Sequence, residues 1–469
     1  MDRARATKPL SLQSDIPAQP SVLDVQAFLD ARPMTAGQRL LLGLCFAVLM
    51  VDGAQTSAIA FVAPALTSDL AISRLALGPV LSVALVGLAL GALLAGPVAD
   101  KLGRKRVLVA SVVLFSVWSL ASATTHGLVS LVVYRFFTGL GVGAAMPNCT
   151  TLAAEFVPAK RRALLLNLMF CGFPSGASIG GFIAAWLIPH YGWRSVFVVG
   201  GILPILLAVA LTRLPESVAF MTVRRWPTQK IKAALSWVAG KDAKALAEIE
   251  GADSFIVHDR FVSRTASPLR VILGAEFLSG TLMLWLANFM GLLLYFLLTS
   301  WMPILIRDAG YSVSRAASVT ALFPLGGGAG ALICGWFMDR TNATRVVSAS
   351  YLLTAVLLLV LARSTTSMGP LMAMTFLAGV AMNGAQSSMP VLAASFYPTQ
   401  GRASGVAWML GIGRLGGVVG ALAGGVLLQA GFNMVSIISG LSIAALIAGV
   451  ALLCKDLVSR TVLRDSCQT

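Results

Sequence analysis

Charged residues are scarce in this chain. They make up 12% of its 469 residues, where a soluble globular chain carries about 25%. Hydrophobic residues make up 57%, and the mean hydropathy is +0.84. A soluble fold of this composition would have almost nothing polar to turn toward water, so a soluble globular protein is set aside. Acids are scarcer than bases: 19 Asp and Glu stand against 35 Lys and Arg, for a net charge of +16. The bases sit in short connections between apolar runs and are not interleaved with exposed aromatics. That pattern sets nucleic acid aside and marks one side of a membrane protein.

Other absences narrow the chemistry. The six cysteines, Cys45, Cys149, Cys171, Cys334, Cys454 and Cys467, form no pair with metal-ligand spacing, and four lie in apolar runs. They read as packing residues, so neither a disulfide framework, a metal site nor a cofactor is expected. The three histidines, His126, His190 and His258, fall in expected loops, which leaves proton chemistry inside the membrane to carboxylates. No nucleophile–base pair appears in the apolar runs, so an enzyme is not expected. The glycine runs Gly139, Gly141, Gly143 and Gly326 to Gly330 lack both a strand–turn–helix context and a Gly-Lys-Ser/Thr sequence, and so read as sites of close helix packing or bending. Residues 1–36 carry no short apolar core before a small-residue cleavage site, so no signal peptide is expected.

What is abundant is long apolar runs. A span needs about 20 mostly apolar residues, and twelve runs qualify, near 40–66, 75–99, 106–125, 128–157, 163–188, 194–212, 281–305, 315–337, 345–363, 370–394, 403–428 and 433–454. The expected layout is an N-terminal segment (1–36), a six-helix half (37–212), a central loop (213–280), a second six-helix half (281–455) and a tail (456–469). Lys101, Arg104, Lys105 and Arg106 follow the second run, and Lys160, Arg161 and Arg162 follow the fourth, whereas Arg74 and His126 are the basic residues after the first and third. The basic side is cytoplasmic by this rule, which puts both termini and the central loop inside. The loop mixes charge signs and reads as a solvated linker with some helix. Asp24 to Leu41 reads as a short helix on the same face.

The halves repeat. AAEFVPAKRRA (153–163) aligns with AASFYPTQGRA (393–403), Gly176 and Gly180 fall against Gly416 and Gly420, and GPVADK ending the second run falls against GWFMDR ending the eighth. Two six-helix halves in one orientation make a parallel repeat, with the substrate site between the halves near the midplane. The expected fold is all-α: twelve transmembrane helices in two parallel-repeat halves.

GPVADKLGRKR (96–106), YRFFTGLGVGAAMPN (134–148) and LPES (214–217) are similar to signatures of the major facilitator superfamily. DVQAFLDARPMTAGQ, DGAQTSAIAFVAPAL, LMFCGFPSGASIGG, LLLYFLLTSWMP and GVAWMLGIGRLGG resemble, more narrowly, its aromatic acid:proton symporters. The resemblance covers nearly the whole chain. It implies proton-coupled uptake of a small aromatic carboxylate, such as a benzoate derivative, across a bacterial inner membrane, by a monomer in the bilayer. Two rivals stand beside it: a non-transporting receptor of the same fold, and an exporter of drugs or organic anions. The chain departs from the family at one point. The family's first span carries Asp-Gly-x-Asp, and here the second acid is Gln55.

The polar groups inside the runs are the candidate site. Asp52 lies about 12 residues into the first run, roughly 18 Å deep at 1.5 Å per residue. It reads as a proton carrier or an arginine's partner, against a purely structural ion pair. Gln55 shares its face and reads equally as a substrate contact or as packing. Arg135 and Arg414 offer the planar fork that matches a carboxylate. Arg414 is favoured for the substrate anion, and Arg135 either does the same or pairs with Asp52. Tyr295, Trp301, Phe289, Trp408 and Met146 are candidate walls for a ring, each alternatively simple packing. The resemblance implies that runs 1, 4, 7 and 10 line the cavity, which makes Asn148, Asn288, Asn383 and Gln386 candidate contacts, against interhelical hydrogen bonding. At the basic end, Asp100, Arg104 and Arg106, with Gly96 and Gly103 for close approach and a tight turn, read as a charge latch. An ion pair from Asp100 to a neighbouring span's end would hold one state. Glu155 reads as part of this gate, and Asp339 and Arg340 as its degraded copy.

Overall fold

In a computed structural model, residues 22–70, 73–158, 161–256, 272–364, 367–397 and 402–466 are described. Twelve helices are long and apolar enough to cross a membrane. In chain order they are α1 (Ala36–Asp69), α2 (Leu75–Leu102), α3 (Arg104–Ala123), α4 (Leu128–Phe156), α5 (Leu164–Tyr191), α6 (Arg194–Leu211), α7 (Phe277–Asp308), α8 (Val313–Met338), α9 (Ala343–Arg363), α10 (Met368–Phe396), α11 (Gly405–Gln429) and α12 (Met434–Leu457). Their starts follow local chemistry. Thr35 and Gln38 form a capping box at the head of α1, while Ser73 and Ser312 accept backbone N–H groups at the heads of α2 and α8. Gly103 turns the chain from α2 into α3 at φ +104°, a left-handed conformation that favours glycine.

Equivalent helices pair in each half. α2 packs on α4 as α8 packs on α10, α1 on α5 as α7 on α11, and α3 on α6 as α9 on α12. The glycine runs make the first of these pairings close. A Cβ on Gly139 or Gly143 would lie 2.0 Å from the carbonyl oxygen of Ala84 or Leu88, and one on Gly330 would lie 2.0 Å from that of Val380. Any side chain there would push the helices apart.

The halves meet through α2–α11, α5–α8 and α1–α7. We call the end that carries the α2–α3 and α6–α7 connections the basic end, and the opposite one the far end. The contacts between halves gather toward the far end. Ser178 Oγ donates to the Ala321 carbonyl at 2.9 Å, Gly78 sits against Leu422, and Arg307 reaches the last turn of α1. The bundle is closed there.

The central loop is not the solvated linker that its charge mixture suggests. Helices Val218–Val223, Thr228–Ala239 and Ala243–Gly251 fold onto the first half, together with a helix at Val25–Asp30. Strands Val22–Asp24 and Ser254–Ile256 pair in parallel. Phe28, Leu29, Leu235, Val238, Ile249 and Phe255 share one apolar core with Leu41, Cys45 and Phe156 of α1 and α4. Thr35 Oγ1 donates to the Val238 carbonyl at 2.5 Å, Gln38 Nε2 to that of Phe156 at 2.7 Å, and Arg32 pairs with Glu248. The helix expected within Asp24–Leu41 is shorter, because Pro33 and the Thr35 cap end it and begin α1.

Candidate functional site

Arg135 sits on α4 at 1% exposure, an expensive place for a cation. Its Nη2 donates to the backbone carbonyl of Gln55 at 3.1 Å. Its Nε and Nη1 are buried with no hydrogen-bond partner, and its guanidinium lies 5.8 Å from the Phe197 ring centroid. No acid among the described residues pairs with it. Beside it, α1, α2, α4 and α7 line a small pocket between the two halves. Arg135 and Thr138 line one wall, and Tyr295, Phe296, Thr299 and Ser300 line the wall contributed by the other half. Tyr295 meets Phe296 edge-on at 5.1 Å between ring centroids. The site therefore offers a fork of unsatisfied donors, aromatic faces and hydroxyls, which suits an aromatic anion.

Asp52, one turn before Gln55 on α1, is 2% exposed. Its Oδ1 accepts from Thr56 Oγ1 at 3.3 Å. The arginine whose charge acts on it is Arg414 of α11, across the interface between halves, and the two are not in ion-pair contact. Arg135 does not pair with Asp52, so that alternative is corrected. The polar centre has two parts: Arg135 at the cavity, and Asp52 with Arg414 beside it.

Several expected contacts belong to other networks. The Gln55 amide donates to the Gly200 carbonyl at 2.6 Å and accepts from Ser119 Oγ at 3.3 Å, so α6 and α3 hold it. Asn148 Nδ2 donates to Ala144 of its own helix at 2.8 Å. Asn288 Nδ2 donates to the Met409 carbonyl, and its Oδ1 accepts from Gln386 Nε2, both at 2.8 Å. Gln386 Oε1 accepts from Tyr351 OH at 2.8 Å, so the chain of bonds joins α9, α10, α7 and α11. Asn383 donates to the Phe323 and Gly379 carbonyls. Buried amides without ligand must find such partners. Trp301 Nε1 donates to the Ala421 carbonyl at 2.7 Å, tying α7 to α11. Trp408 is 46% exposed and stacks on Trp285, away from the residues that line the cavity. Phe289 presses its backbone on Gly416, and Met146 packs into the core of the first half. Phe197, Thr138, Phe296, Thr299 and Ser300 were not singled out in the sequence. Helical spacing from Arg135 and Tyr295 would have found Thr138 and Thr299, but not Phe296, Ser300 or Phe197.

The loop signature is a dock inside the first half. Asp100 turns back to Arg104 at 2.9 Å instead of reaching a neighbouring span's end, and at 68% side-chain exposure that pair is weak. The reach is made by Glu216, which accepts from the Lys105 N–H at 2.9 Å and sits where a Cβ on Gly103 would fall. Arg224 donates to the Asp100 carbonyl at 2.7 Å, and Arg106 lies over Trp226. Glu155 accepts from Ser217 Oγ rather than pairing directly with the basic loop. Gly96 has open space about it, so no close approach explains it. In the second half Arg340 lies 3.7 Å over the Trp336 ring rather than against Asp339, and Arg345 pairs with Asp456 at 3.2 Å.

Comparisons with known proteins agree with this architecture. The family model described as Major Facilitator Superfamily matches residues 44–317 and 284–463. The chain is 46% identical over 446 residues to the 4-hydroxybenzoate transporter PcaK of Pseudomonas aeruginosa, covering 94% of this chain and 98% of that one. It is 43% identical to the gallate transporter of Pseudomonas putida, covering 92% and 94%. Among solved structures, the inward open conformation of the xylose transporter XylE from E. coli superposes with a TM-score of 0.69 at 18% identity, over 88% of this chain and 95% of that one. Twelve membrane helices in two repeated halves, the family match and relatives this similar along almost the whole length show that the chain belongs to the Major Facilitator Superfamily.

Proposed function

We propose that this protein imports a hydroxylated aromatic carboxylate together with protons by alternating access, as a monomer in a bacterial inner membrane with both termini cytoplasmic. The observation that carries the reading is Arg135: a buried guanidinium with two unpartnered nitrogens, lining a pocket that Tyr295 and Phe296 also line. A carboxylate there would complete the fork, and Tyr295 and Phe296 would hold the ring. The names of the relatives support the substrate class, since they are transporters of 4-hydroxybenzoate and gallate. The positive connections support the orientation, and with it a closed periplasmic side.

Asp52 is the proton carrier in this reading. With the site empty, its charge and that of Arg414 balance across the interface between halves. Protonation of Asp52 frees the charge of Arg414 to attract the incoming anion, and release of the proton inside restores the balance. Asp100, Arg104, Arg106, Gly103 and Glu155 serve the transition indirectly, by fixing the basic end of the first half as one body.

The test is uptake into proteoliposomes under an inward proton gradient, with radiolabelled 4-hydroxybenzoate, gallate and benzoate in separate arms. Uphill accumulation of at least one acid is expected, and a protonophore should collapse it. Binding without flux would favour a receptor, and proton-driven efflux would favour an exporter. Either result overturns the proposal.

A further inference from the structure

A guanidinium joins the two halves at the far end of the bundle. α1 ends in Pro64-Ala65-Leu66-Thr67-Ser68-Asp69, and α7 ends in Pro303-Ile304-Leu305-Ile306-Arg307-Asp308. Proline, leucine and aspartate coincide, and each stretch is followed by a serine that caps the next helix, Ser73 and Ser312. Ser68 and Arg307 are therefore equivalent positions of the two repeats. The pseudo-symmetry brings them together. Arg307 Nη2 donates to Ser68 Oγ at 2.6 Å, and Nη1 donates to Thr67 Oγ1 at 3.3 Å and to the Pro64 carbonyl.

The grip fits the chemistry of a helix end. The C-terminal end of a helix carries partial negative charge, and here Thr67 and Ser68, which donate to the Pro64 carbonyl at 2.9 and 3.3 Å, add their hydroxyl oxygens as acceptors. A rigid fork of donors reaches several acceptors at once, which an ammonium cannot do in the same geometry. The gripped end is itself anchored. Asp69 accepts from Arg194 Nη1 at 2.9 Å and from Trp193 Nε1 at 3.0 Å, so a pull on α1 is shared with α6. Each described ion pair lies within one half or its cap. Arg307's grip and the bond from Ser178 to Ala321 are hydrogen bonds that join the two halves.

We propose that Arg307 is the latch of the far end. Its hold on the end of α1 breaks when that side opens to take substrate, and its re-formation completes closure. The inference rests on alternating access and not on the identity of the substrate.

The test uses the full chain in lipid nanodiscs, with spin labels at Thr124 after α3 and Ser364 after α9. Both lie at the far end, in opposite halves, and their hydroxyls bond only their own turns. Arg307→Ala should enlarge the long-distance population several-fold, and Arg307→Lys should recover part of the closed one. An unchanged distance distribution in Arg307→Ala overturns the proposal. If Arg307→Ala does not fold, the double variant Thr67→Val with Ser68→Ala removes the side-chain acceptors instead. The same shift is expected there, and its absence counts equally against the latch. The readout needs no substrate, so failure of the aromatic-acid reading leaves it intact.

Discussion

The Arg135 side chain meets Gln55 at its backbone carbonyl and not at its side-chain amide. Arg135 Nη2 donates to Gln55 O at 3.1 Å, while the Gln55 amide is held by Gly200 and Ser119. The contact fixes the guanidinium without neutralising it. An acid at position 55 would change that. Gln55→Glu places a carboxylate one residue's reach from Arg135 and removes the donor to Gly200. The expected result is an internal competitor for the guanidinium, with KM for the aromatic acid raised about tenfold, or about 1.4 kcal/mol. Initial uptake rates at fixed pH measure it. An unchanged KM would mean that Arg135 does not hold the anion.

Arg135 itself separates binding from folding. Breaking a buried ion pair costs about 3–5 kcal/mol, because one charge is left uncompensated. Arg135 has no such partner among the described residues, and two of its nitrogens make no hydrogen bond. Arg135→Gln should therefore lower uptake at least about a hundredfold, the scale of a lost charge-assisted fork, while the melting temperature in detergent stays level or rises. A variant that loses uptake and also melts several degrees lower would point to a structural arginine.

Asp52 and Arg414 divide the coupling between them. Asp52→Asn retains a hydrogen-bonding side chain beside Thr56 but removes the titrating group. Uphill accumulation under a proton gradient should vanish, while exchange of labelled for unlabelled acid continues and loses its pH dependence. Arg414→Gln should weaken both accumulation and exchange. Accumulation retained in Asp52→Asn would move the proton site elsewhere.

The membrane helices and the two charged centres were legible, because a charge inside a long apolar run stands out against its background. Asp52, Arg135 and Arg414 were found that way. What each side chain touches was not legible. Gln55 lies three residues from Asp52, which puts the two on one face but does not say that Gly200, some 145 residues away, takes the amide. Asn288 and Gln386 look like site residues for the same reason that any polar residue in a span does. The cap was hidden differently. Its strands are three residues long, too short for a period of two to register, and its helices carry mixed charge on exposed faces. The Gly103 turn shows in the sequence as a glycine, but its close neighbour Glu216 comes from the far side of four helices.

The network from Tyr351 to Met409 yields a test of structure without binding. Tyr351 OH, Gln386 and Asn288 form a line of three bonds, each 2.8 Å long, that ends on the Met409 carbonyl. Tyr351 and Asn288 are both 0% exposed, and neither lines the cavity beside Arg135. Hydrogen bonds between membrane helices contribute about 0.6 kcal/mol on average and up to about 1.7. Tyr351→Phe removes one such bond and leaves the ring in place, so a loss of about 1 kcal/mol is expected. Gln386→Leu breaks two and leaves Asn288 Oδ1 and the tyrosine hydroxyl without partners, so it should cost more, about 2 kcal/mol. In both variants KM should move less than about threefold, a change below 1 kcal/mol. Thermal melting in detergent read beside uptake kinetics decides the point. A large rise in KM at unchanged melting temperature would return Gln386 to the substrate site.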